Sequence, residues 1–277
     1  MALIDTHLHL IYRDRLGYGW TDGIPALAGD FTLEDAQALT GDRVEGVIFM
    51  EAGVDEADYK AEARHVHSLM VPGSRLLGQI AACWPETEAG FADWLDECEE
   101  LGVVGYRRLL HVVDDGMSQG ETFRRNIRAI GARGRVYDIV VRADQLHIAA
   151  DLVRACPDQA YVLDHCGVPD IAGGGLEPWK AGMTALSALP QVACKLSGLT
   201  AYCAPGTATR ETLRPYIDHV LDVFGPARIV WGSDWPVVDL GAGLPGWLAI
   251  TQAVLDGLSA DEAAAISHAN ARRIYQL

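Results

Sequence analysis

The amino-acid sequence predicts an α/β fold, a single (β/α)₈ TIM barrel over residues 1–277 with an extra C-terminal helix. Short apolar runs alternate with longer amphipathic segments along the whole chain, as expected for repeated βα units. Several of the apolar runs are continuous and rich in Val and Ile, which is typical of strands buried on both faces of a parallel sheet. The 277 residues are 49% hydrophobic, enough for one large core.

Eight apolar runs are predicted as strands. They cover residues 2–6, 44–50, 76–83, 103–108, 136–141, 160–165, 191–196 and 227–233. The first is followed by a long, aromatic-rich loop over residues 10–31, which we expect to shape the mouth of the active site.

Amphipathic segments between these runs are predicted as helices. They cover residues 32–41, 56–71, 86–101, 121–133, 144–155, 176–188, 210–224 and 244–257, and the tail 260–277 adds one more. Thr32 precedes acidic residues, as at a capped helix N-terminus. Gly102, Gly134 and Gly225 suit helix C-termini. Eight strands and eight helices in strict alternation favour a closed barrel over an open doubly wound sheet.

The charge and amino-acid composition of the chain argue against two classes of partner. The formal net charge of −16 repels nucleic acid and anionic lipid, so we expect neither a nucleic-acid nor a membrane partner. The beginning of the sequence lacks signal-peptide features, and no apolar run approaches the ~20 residues of a membrane span. Six cysteines in apolar surroundings, without a CxxC, are typical of a reducing cytoplasm. The oligomeric state, a homo-oligomer included, stays open.

Polar residues at the C-terminal ends of the strands are the candidate active site, because that is where such barrels carry their chemistry. His7 and His9 alternate on the first strand, so both imidazoles face one centre. That geometry suits one metal ion or one polar substrate group; the alternative is two surface histidines. Asp234 follows the last strand, where it could be a general base or a helix N-cap. His165 points to the same mouth, unless it is a core histidine bonded to Asp164.

Further residues are candidates for substrate binding. Lys195 could bind an anionic group or an oxyanion, or form an ion pair with a carboxylate. Alternation lets only one of Arg107 and Arg108 face inward, and we favour Arg107. Arg142 could recognise a carboxylate or form an outer salt bridge. Aromatic residues could line the pocket or pack in the core; these are Trp20, Trp84, Tyr18 and Trp235.

The chain resembles the amidohydrolase superfamily, and within it the amidohydrolase-2 branch of sugar-lactone and 2-pyrone-4,6-dicarboxylate lactonases. The resemblance spans residue 2 to the last helix. Five segments carry it: Asp5-Thr-His7-Leu-His9, Leu163-Asp-His165-Cys-Gly, Cys194-Lys-Leu-Ser-Gly198, Phe224-Gly-Pro-Ala-Arg-Ile-Val-Trp-Gly-Ser-Asp234-Trp-Pro and Asn270-Ala-Arg-Arg-Ile-Tyr.

The resemblance implies a barrel hydrolase that opens a cyclic ester by adding water. Asp234 would activate the water, and His7, His9 and His165 would hold it or polarise the lactone carbonyl. Arg107 and Lys195 would bind substrate oxygens. The expected substrate is a small lactone from carbohydrate or aromatic catabolism, such as a fucono- or rhamnono-lactone or a carboxylated lactone. The small number of inward cations favours the sugar-acid lactones.

One departure concerns the metal. Metal-dependent members have a histidine at the end of the fifth strand, whereas this chain has Val136-Tyr-Asp-Ile-Val-Val-Arg142 there. Members of the lactonase branch can work without metal, so we expect no required cofactor. The alternative is one Zn²⁺ held by His7, His9 and Asp234.

Three other functions stay open. A zinc-dependent decarboxylase predicts stoichiometric metal, and the missing histidine argues against it. A lactone isomerase would need similar groups. A non-catalytic barrel that binds a sugar acid would keep the pocket and lose the base, whereas Asp234 is present.

Overall fold

The computed structural model describes residues 2–277, and eight parallel strands in them form a nearly closed barrel in the order β1 to β8. The predicted TIM barrel is therefore confirmed. The strands are β1 Leu3–Leu8, β2 Val44–Met50, β3 Leu76–Ala82, β4 Val103–Leu109, β5 Val136–Val140, β6 Tyr161–Leu163, β7 Val192–Leu196 and β8 Ile229–Trp231.

Helices surround the barrel close to their predicted positions. They are α1 Leu33–Thr40, α2 Tyr59–Leu69, α3 Phe91–Glu100, α4 Glu121–Ala132, α5 Leu146–Ala155, α6 Leu176–Ser187, α7 Arg210–Phe224, α8 Gly243–Leu255, α9 Ala260–Ala264 and α10 Asn270–Ile274.

Several boundaries differ from the sequence-based ones. The start of α3 lies five residues later than predicted, because Gly90 adopts a left-handed conformation directly before it. Strands β6 and β8 are shorter than predicted, because the backbone turns to positive φ at His165 and Asp234 just beyond them. The tail is not one uniform helix, since a π-helical segment over Ala265–Ala269 separates α9 from α10.

Alternation along the strands divides the barrel interior into two layers. The lower layer is apolar, with Val136 of β5, Val162 of β6 and Ala193 of β7 in one small core cluster. Two residues further along the same strands, the inward positions carry charged groups. These groups are Asp138, Asp164 and Lys195, all fully buried. The apolar layer thus separates the charged layer from the N-terminal end of the barrel.

Helix α10 covers that N-terminal end. Ala271 and Tyr275 belong to the same apolar cluster as the lower layer. Asn270 anchors the helix, because its side-chain amide donates to the carbonyls of Pro226 (2.7 Å) and Ile229 (2.8 Å) beside β8.

Contacts between β8 and β1 close the barrel. Asp5 Oδ1 accepts hydrogen bonds from the backbone N–H groups of His7 (3.0 Å) and Ser233 (2.8 Å). The N–H of Asp234 donates to the carbonyl of His7 (2.8 Å), and Thr6 Oγ1 donates to the carbonyl of Trp231 (2.8 Å). A single buried carboxylate therefore joins the strand that carries the first histidines to the segment that carries Asp234.

Five of the six cysteines are buried and Cys203 is half-buried, all as free thiols. Within residues 2–277, no helix combines the length and the hydropathy needed to cross a membrane.

Replacing Asp5 with Ala should lower the free energy of unfolding by about 1–3 kcal/mol, because the buried N–H groups of His7 and Ser233 lose their acceptor. Urea denaturation monitored by circular dichroism measures the change.

The matched control is Asp5→Asn, which keeps an acceptor oxygen in the same place. It should cost clearly less, since burial already raises the pKa of Asp5 and disfavours its charge. Equal losses for the two variants would contradict this account.

Candidate active site

Four of the predicted site residues meet at the C-terminal ends of β1, β6 and β8. Asp234 Oδ1 lies 3.7 Å from His7 Nε2 and 3.5 Å from His9 Nε2, and Asp234 Oδ2 lies 3.9 Å from His165 Nδ1. These distances are too long for direct hydrogen bonds, so they leave room for a water molecule or an ion between the groups. His9 and His165 each keep 6% of their surface exposed, which places the opening of the site beside them.

Hydrogen bonds to the ring nitrogens fix the tautomer of each histidine of β1. His9 Nδ1 lies 3.0 Å from the carbonyl of Met50, which can only accept, so Nδ1 carries the proton and Nε2 is free to accept. Arg107 donates to His7 Nε2 (3.3 Å), while Asp164 Oδ1 lies 3.4 Å from His7 Nδ1. His9 therefore directs a free Nε2 lone pair at Asp234, whereas the Nε2 lone pair of His7 accepts from Arg107 and lies 3.7 Å from Asp234 Oδ1.

Burial keeps the imidazoles of His7 and His165 neutral. It lowers the pKa of His7 well below its ordinary value, outweighing the attraction of Asp164. It also lowers the pKa of His165, although Asp234 and Asp164 act in the opposite direction. His7 and His165 are therefore neutral near pH 7, where they act as hydrogen-bond partners rather than as charged groups.

The backbone around His165 and Asp234 is strained. Their φ angles are +52° and +58°, in the left-handed region that residues with a Cβ rarely adopt. Two glycines make space for the rings: a Cβ at Gly198 would lie 2.5 Å from His165 Nδ1, and one at Gly232 would lie 2.6 Å from His7 Cβ. His165 is further fixed by Ser197, whose Oγ is 2.9 Å from its Nδ1.

A buried network of ion pairs lies beside and below the histidines. Arg107 Nε donates to Glu51 Oε1 (2.7 Å) and its Nη1 to Asp164 Oδ2 (3.1 Å). Lys195 Nζ lies 2.7 Å from Asp138 Oδ2, 2.9 Å from Asp164 Oδ1 and 3.4 Å from His7 Nδ1. Asp164 thus joins both cations to His7.

The pKa shifts reflect this network. Burial alone would raise the pKa of Asp164, but Lys195, His7 and Arg107 outweigh it and hold that pKa well below its ordinary value. Burial likewise opposes the charge of Arg107, and the attraction of Glu51 and Asp164 raises its pKa nevertheless. Asp164 and Arg107 therefore remain a charged pair across the neutral range.

The predicted metal ligands fit a metal ion. Tetrahedral zinc at about 2.0–2.2 Å from N and O ligands places those ligands roughly 3.3–3.6 Å apart, close to the spacing of His7, His9 and Asp234. The free Nε2 of His9 faces a carboxylate oxygen, an arrangement that a cation between them would stabilise. A second group, His7 with Asp164 and His165, has similar spacing. Arg107 competes with a cation for His7 Nε2 in the first group.

The predicted substrate-binding residues differ in how close they lie to the clustered histidines and Asp234. Arg107 faces inward, as predicted, and with Trp84 and Glu51 it lines a cavity of about 200 Å³ beside the site. Trp84 is half-buried with the Arg108 guanidinium 4.1 Å from its ring centre. Trp20 is 42% exposed and donates to the carbonyl of Ala52 (2.7 Å), so it belongs to the rim.

Two predicted substrate-binding residues have surroundings that match the alternatives stated for them. Lys195 is fully buried and its partners are carboxylates, so the alternative of an ion pair describes its surroundings. Arg142 lies beyond the end of β5, is exposed, and pairs with Asp144 (3.1 Å) while donating to the carbonyl of His111. It therefore lies at the rim, away from the clustered groups.

Sequence analysis missed the roles of several buried residues around the site. Each of them holds another polar group in place: Asp5, Glu51, Asp138, Ser197 and Tyr275. The available signal was a carboxylate inside an otherwise apolar strand, as in VYDIVV, because such a group requires a partner.

The family model described as Amidohydrolase matches residues 4–277. Two relatives are named L-fucono-1,5-lactonase. The one from Burkholderia multivorans is 28% identical over 99% of this chain and 96% of its own length. The one from Burkholderia ambifaria is 35% identical over 62% of this chain and 61% of its own length.

Among solved structures, the chain is similar to an amidohydrolase from Burkholderia multivorans with bound zinc. The TM-score is 0.90 at 27% identity, and the comparison covers 100% of both chains.

The two candidate metal groups can be separated by zinc titration. Because His9 belongs only to the group with His7 and Asp234, His9→Ala should weaken zinc binding at least about tenfold. His165→Ala should leave it unchanged. Isothermal titration with zinc measures both variants, with circular dichroism as the folding control. The reverse pattern, or a wild-type protein that binds no zinc, would contradict the assignment.

Proposed function

The chain belongs to the amidohydrolase family, and from this premise we propose that it hydrolyses a small lactone. The observation that carries the proposal is the Asp234 carboxylate, which lies 3.5–3.9 Å from three imidazoles at the mouth of the barrel. The two relatives named L-fucono-1,5-lactonase support the choice of a cyclic ester as the bond that is cleaved.

Asp234 is proposed to take a proton from a water molecule held between its carboxylate and the Nε2 atom of His9. The water oxygen then bonds to the lactone carbonyl carbon. As the ring C–O bond breaks, the proton passes from Asp234 to the departing ring oxygen. A hydroxy acid forms, and the site returns to its starting protonation state.

His165 and Arg107 are proposed to bind the substrate. His165 lies at the opening on the opposite side of Asp234 from His9, within reach of a carbonyl or hydroxyl oxygen. Four of the five N–H groups of Arg107 already have partners in Glu51, Asp164 and His7, which leaves one Nη2 hydrogen for a substrate oxygen.

A divalent metal on His7, His9 and Asp234 would supply Lewis-acid polarisation of a substrate carbonyl. We propose that hydrolysis does not depend on it. β5 contributes no histidine, Arg107 occupies the Nε2 lone pair of His7, and a lactone is an activated ester. Stoichiometric zinc without acid release from any lactone would favour a zinc-dependent decarboxylase instead.

The charge of the site favours a neutral sugar-acid lactone over a dicarboxylate. Within residues 2–277, the buried carboxyl groups around the site outnumber the cations five to two: Asp5, Glu51, Asp138, Asp164 and Asp234 against Arg107 and Lys195. Both cations are already paired, so a doubly negative substrate would meet repulsion without compensation.

Asp234→Asn should lower kcat/KM for the best lactone at least about 100-fold, because the amide cannot accept the proton from water. Asparagine tolerates positive φ, so the backbone should be preserved. A pH-indicator assay on purified protein measures the loss.

The matched control is Asp239→Asn, which removes an exposed carboxylate whose Oδ1 accepts from the N–H of Leu244 (3.2 Å). Its activity should equal that of the wild type. Retained activity in Asp234→Asn would remove Asp234 from the proposed mechanism.

Neutral sugar-acid lactones should be hydrolysed with a kcat/KM at least roughly 100-fold above that for 2-pyrone-4,6-dicarboxylate, since like-charge repulsion costs several kcal/mol. The same assay, repeated after chelation and dialysis, should give an unchanged rate. Preference for the dicarboxylate would overturn the substrate class, and loss of the rate with recovery by zinc would overturn metal independence.

A further inference from the structure

We propose that Tyr275 is a positioning residue for the active site, acting from the opposite end of the barrel through Asp138 and Lys195. The proposal rests on the proposed function for its effect on activity. The hydrogen bond from the Tyr275 hydroxyl to Asp138 can be tested independently of that function.

Tyr275 connects the barrel floor to the charged layer. Its ring packs with the lower apolar layer and is 1% exposed. Its hydroxyl reaches past that layer and donates to both carboxylate oxygens of Asp138, each at 3.1 Å. A buried tyrosine hydroxyl with an ionisable partner fixes the position of that partner.

Asp138 in turn positions Lys195. The ammonium lies 2.7 Å from Asp138 and 2.9 Å from Asp164, so the two carboxylates hold it from β5 and β6. Asp164 Oδ1 and Lys195 Nζ each lie 3.4 Å from His7 Nδ1, on the side of the ring opposite the Nε2 atom that faces Asp234. A contact path thus runs from Tyr275 through Asp138, Lys195 and Asp164 to His7.

Three groups face Asp138 from the elements packed against it: Lys195 of β7, Asp164 of β6 and Tyr275. Burial raises the pKa of Asp138 to about 6, although Lys195 and Tyr275 oppose the increase. Loss of the Tyr275 hydroxyl should raise this pKa further. Asp138 would then become protonated at a higher pH and release its hold on Lys195.

Tyr137 of β5 provides a matched control. It is also a fully buried tyrosine, but its hydroxyl has no hydrogen-bond partner within residues 2–277. Tyr275→Phe and Tyr137→Phe therefore remove the same atom from similar apolar surroundings, and only the first variant removes a donor to Asp138.

The first arm of the test is thermal unfolding at pH 5 and pH 8. Because the folded pKa of Asp138 is raised, its contribution to stability falls as pH rises between its unfolded and folded values. Without the Tyr275 hydroxyl this window should extend above pH 6. The Tm deficit of Tyr275→Phe should be about 2–4 °C larger at pH 8 than at pH 5. The change in Tm caused by Tyr137→Phe should be the same at pH 5 and at pH 8.

The second arm is the pH profile of kcat/KM on the best lactone. Activity should fall as Asp138 becomes protonated, so its acid limb should move upward by about one pH unit in Tyr275→Phe. It should not move in Tyr137→Phe. In an Asp138→Asn background, Tyr275→Phe should lose both pH-dependent effects.

If Tyr275→Phe lowers the Tm equally at pH 5 and pH 8, the proposal that Tyr275 fixes Asp138 is wrong. A shifted Tm pattern with an unmoved acid limb would overturn the positioning role. A wild-type protein that hydrolyses no lactone would overturn the proposed function, while the Tm arm would still decide whether Tyr275 holds Asp138.

Discussion

The burial of Lys195 between Asp138 and Asp164 is the interaction on which the rest of the site depends. An ammonium and two carboxylates inside a barrel lose their hydration, a cost of several kcal/mol per ion that only close pairing offsets. The three groups come from neighbouring strands, so their pairing fixes β5, β6 and β7 relative to one another at the level of the site. Arg107 extends the same pairing to β4 and, through Glu51, to β2. These ion pairs contact His7 through Arg107 and Lys195 and so form a framework that fixes its position.

The framework also explains how neutral imidazoles and a carboxylate can share one small space. Arg107 donates to Nε2 of His7, and the carbonyl of Met50 accepts from Nδ1 of His9, so each ring has one nitrogen fixed and its Nε2 atom facing Asp234. Asp234 reaches them only because its backbone adopts positive φ directly after β8, and its N–H is tied to the carbonyl of His7. Local strain at Asp234 and His165 is therefore held by hydrogen bonds from neighbouring strands.

The sequence was most informative where periodicity decides the structure. Apolar runs located all eight strands, and alternation correctly turned Arg107 inward. It placed His7, His9, His165 and Asp234 at one end of the barrel, although their roles stay predictions. Alternation cannot identify partners across the barrel, so an ion pair of Lys195 with some carboxylate could be considered from the sequence, but Asp138 and Asp164 could not be named as its partners. The start of α3 depended on the conformation of Gly90, and the contact of Tyr275 with Asp138 spans 137 residues, a pairing that no local pattern encodes.

The excess of carboxylates around the site has a consequence for product release. Under the proposed reaction a neutral ring enters and a hydroxy-acid anion leaves, so the ligand acquires a charge of the same sign as its surroundings during turnover. Asp234 and Asp164, with a surface of net charge −16, would then repel the product without having repelled the substrate. The same field would disfavour rebinding of the acid and the reverse ring closure. Electrostatics would thus speed the release of the product and weaken product inhibition, while the equilibrium of the hydrolysis stays that of the reaction in solution.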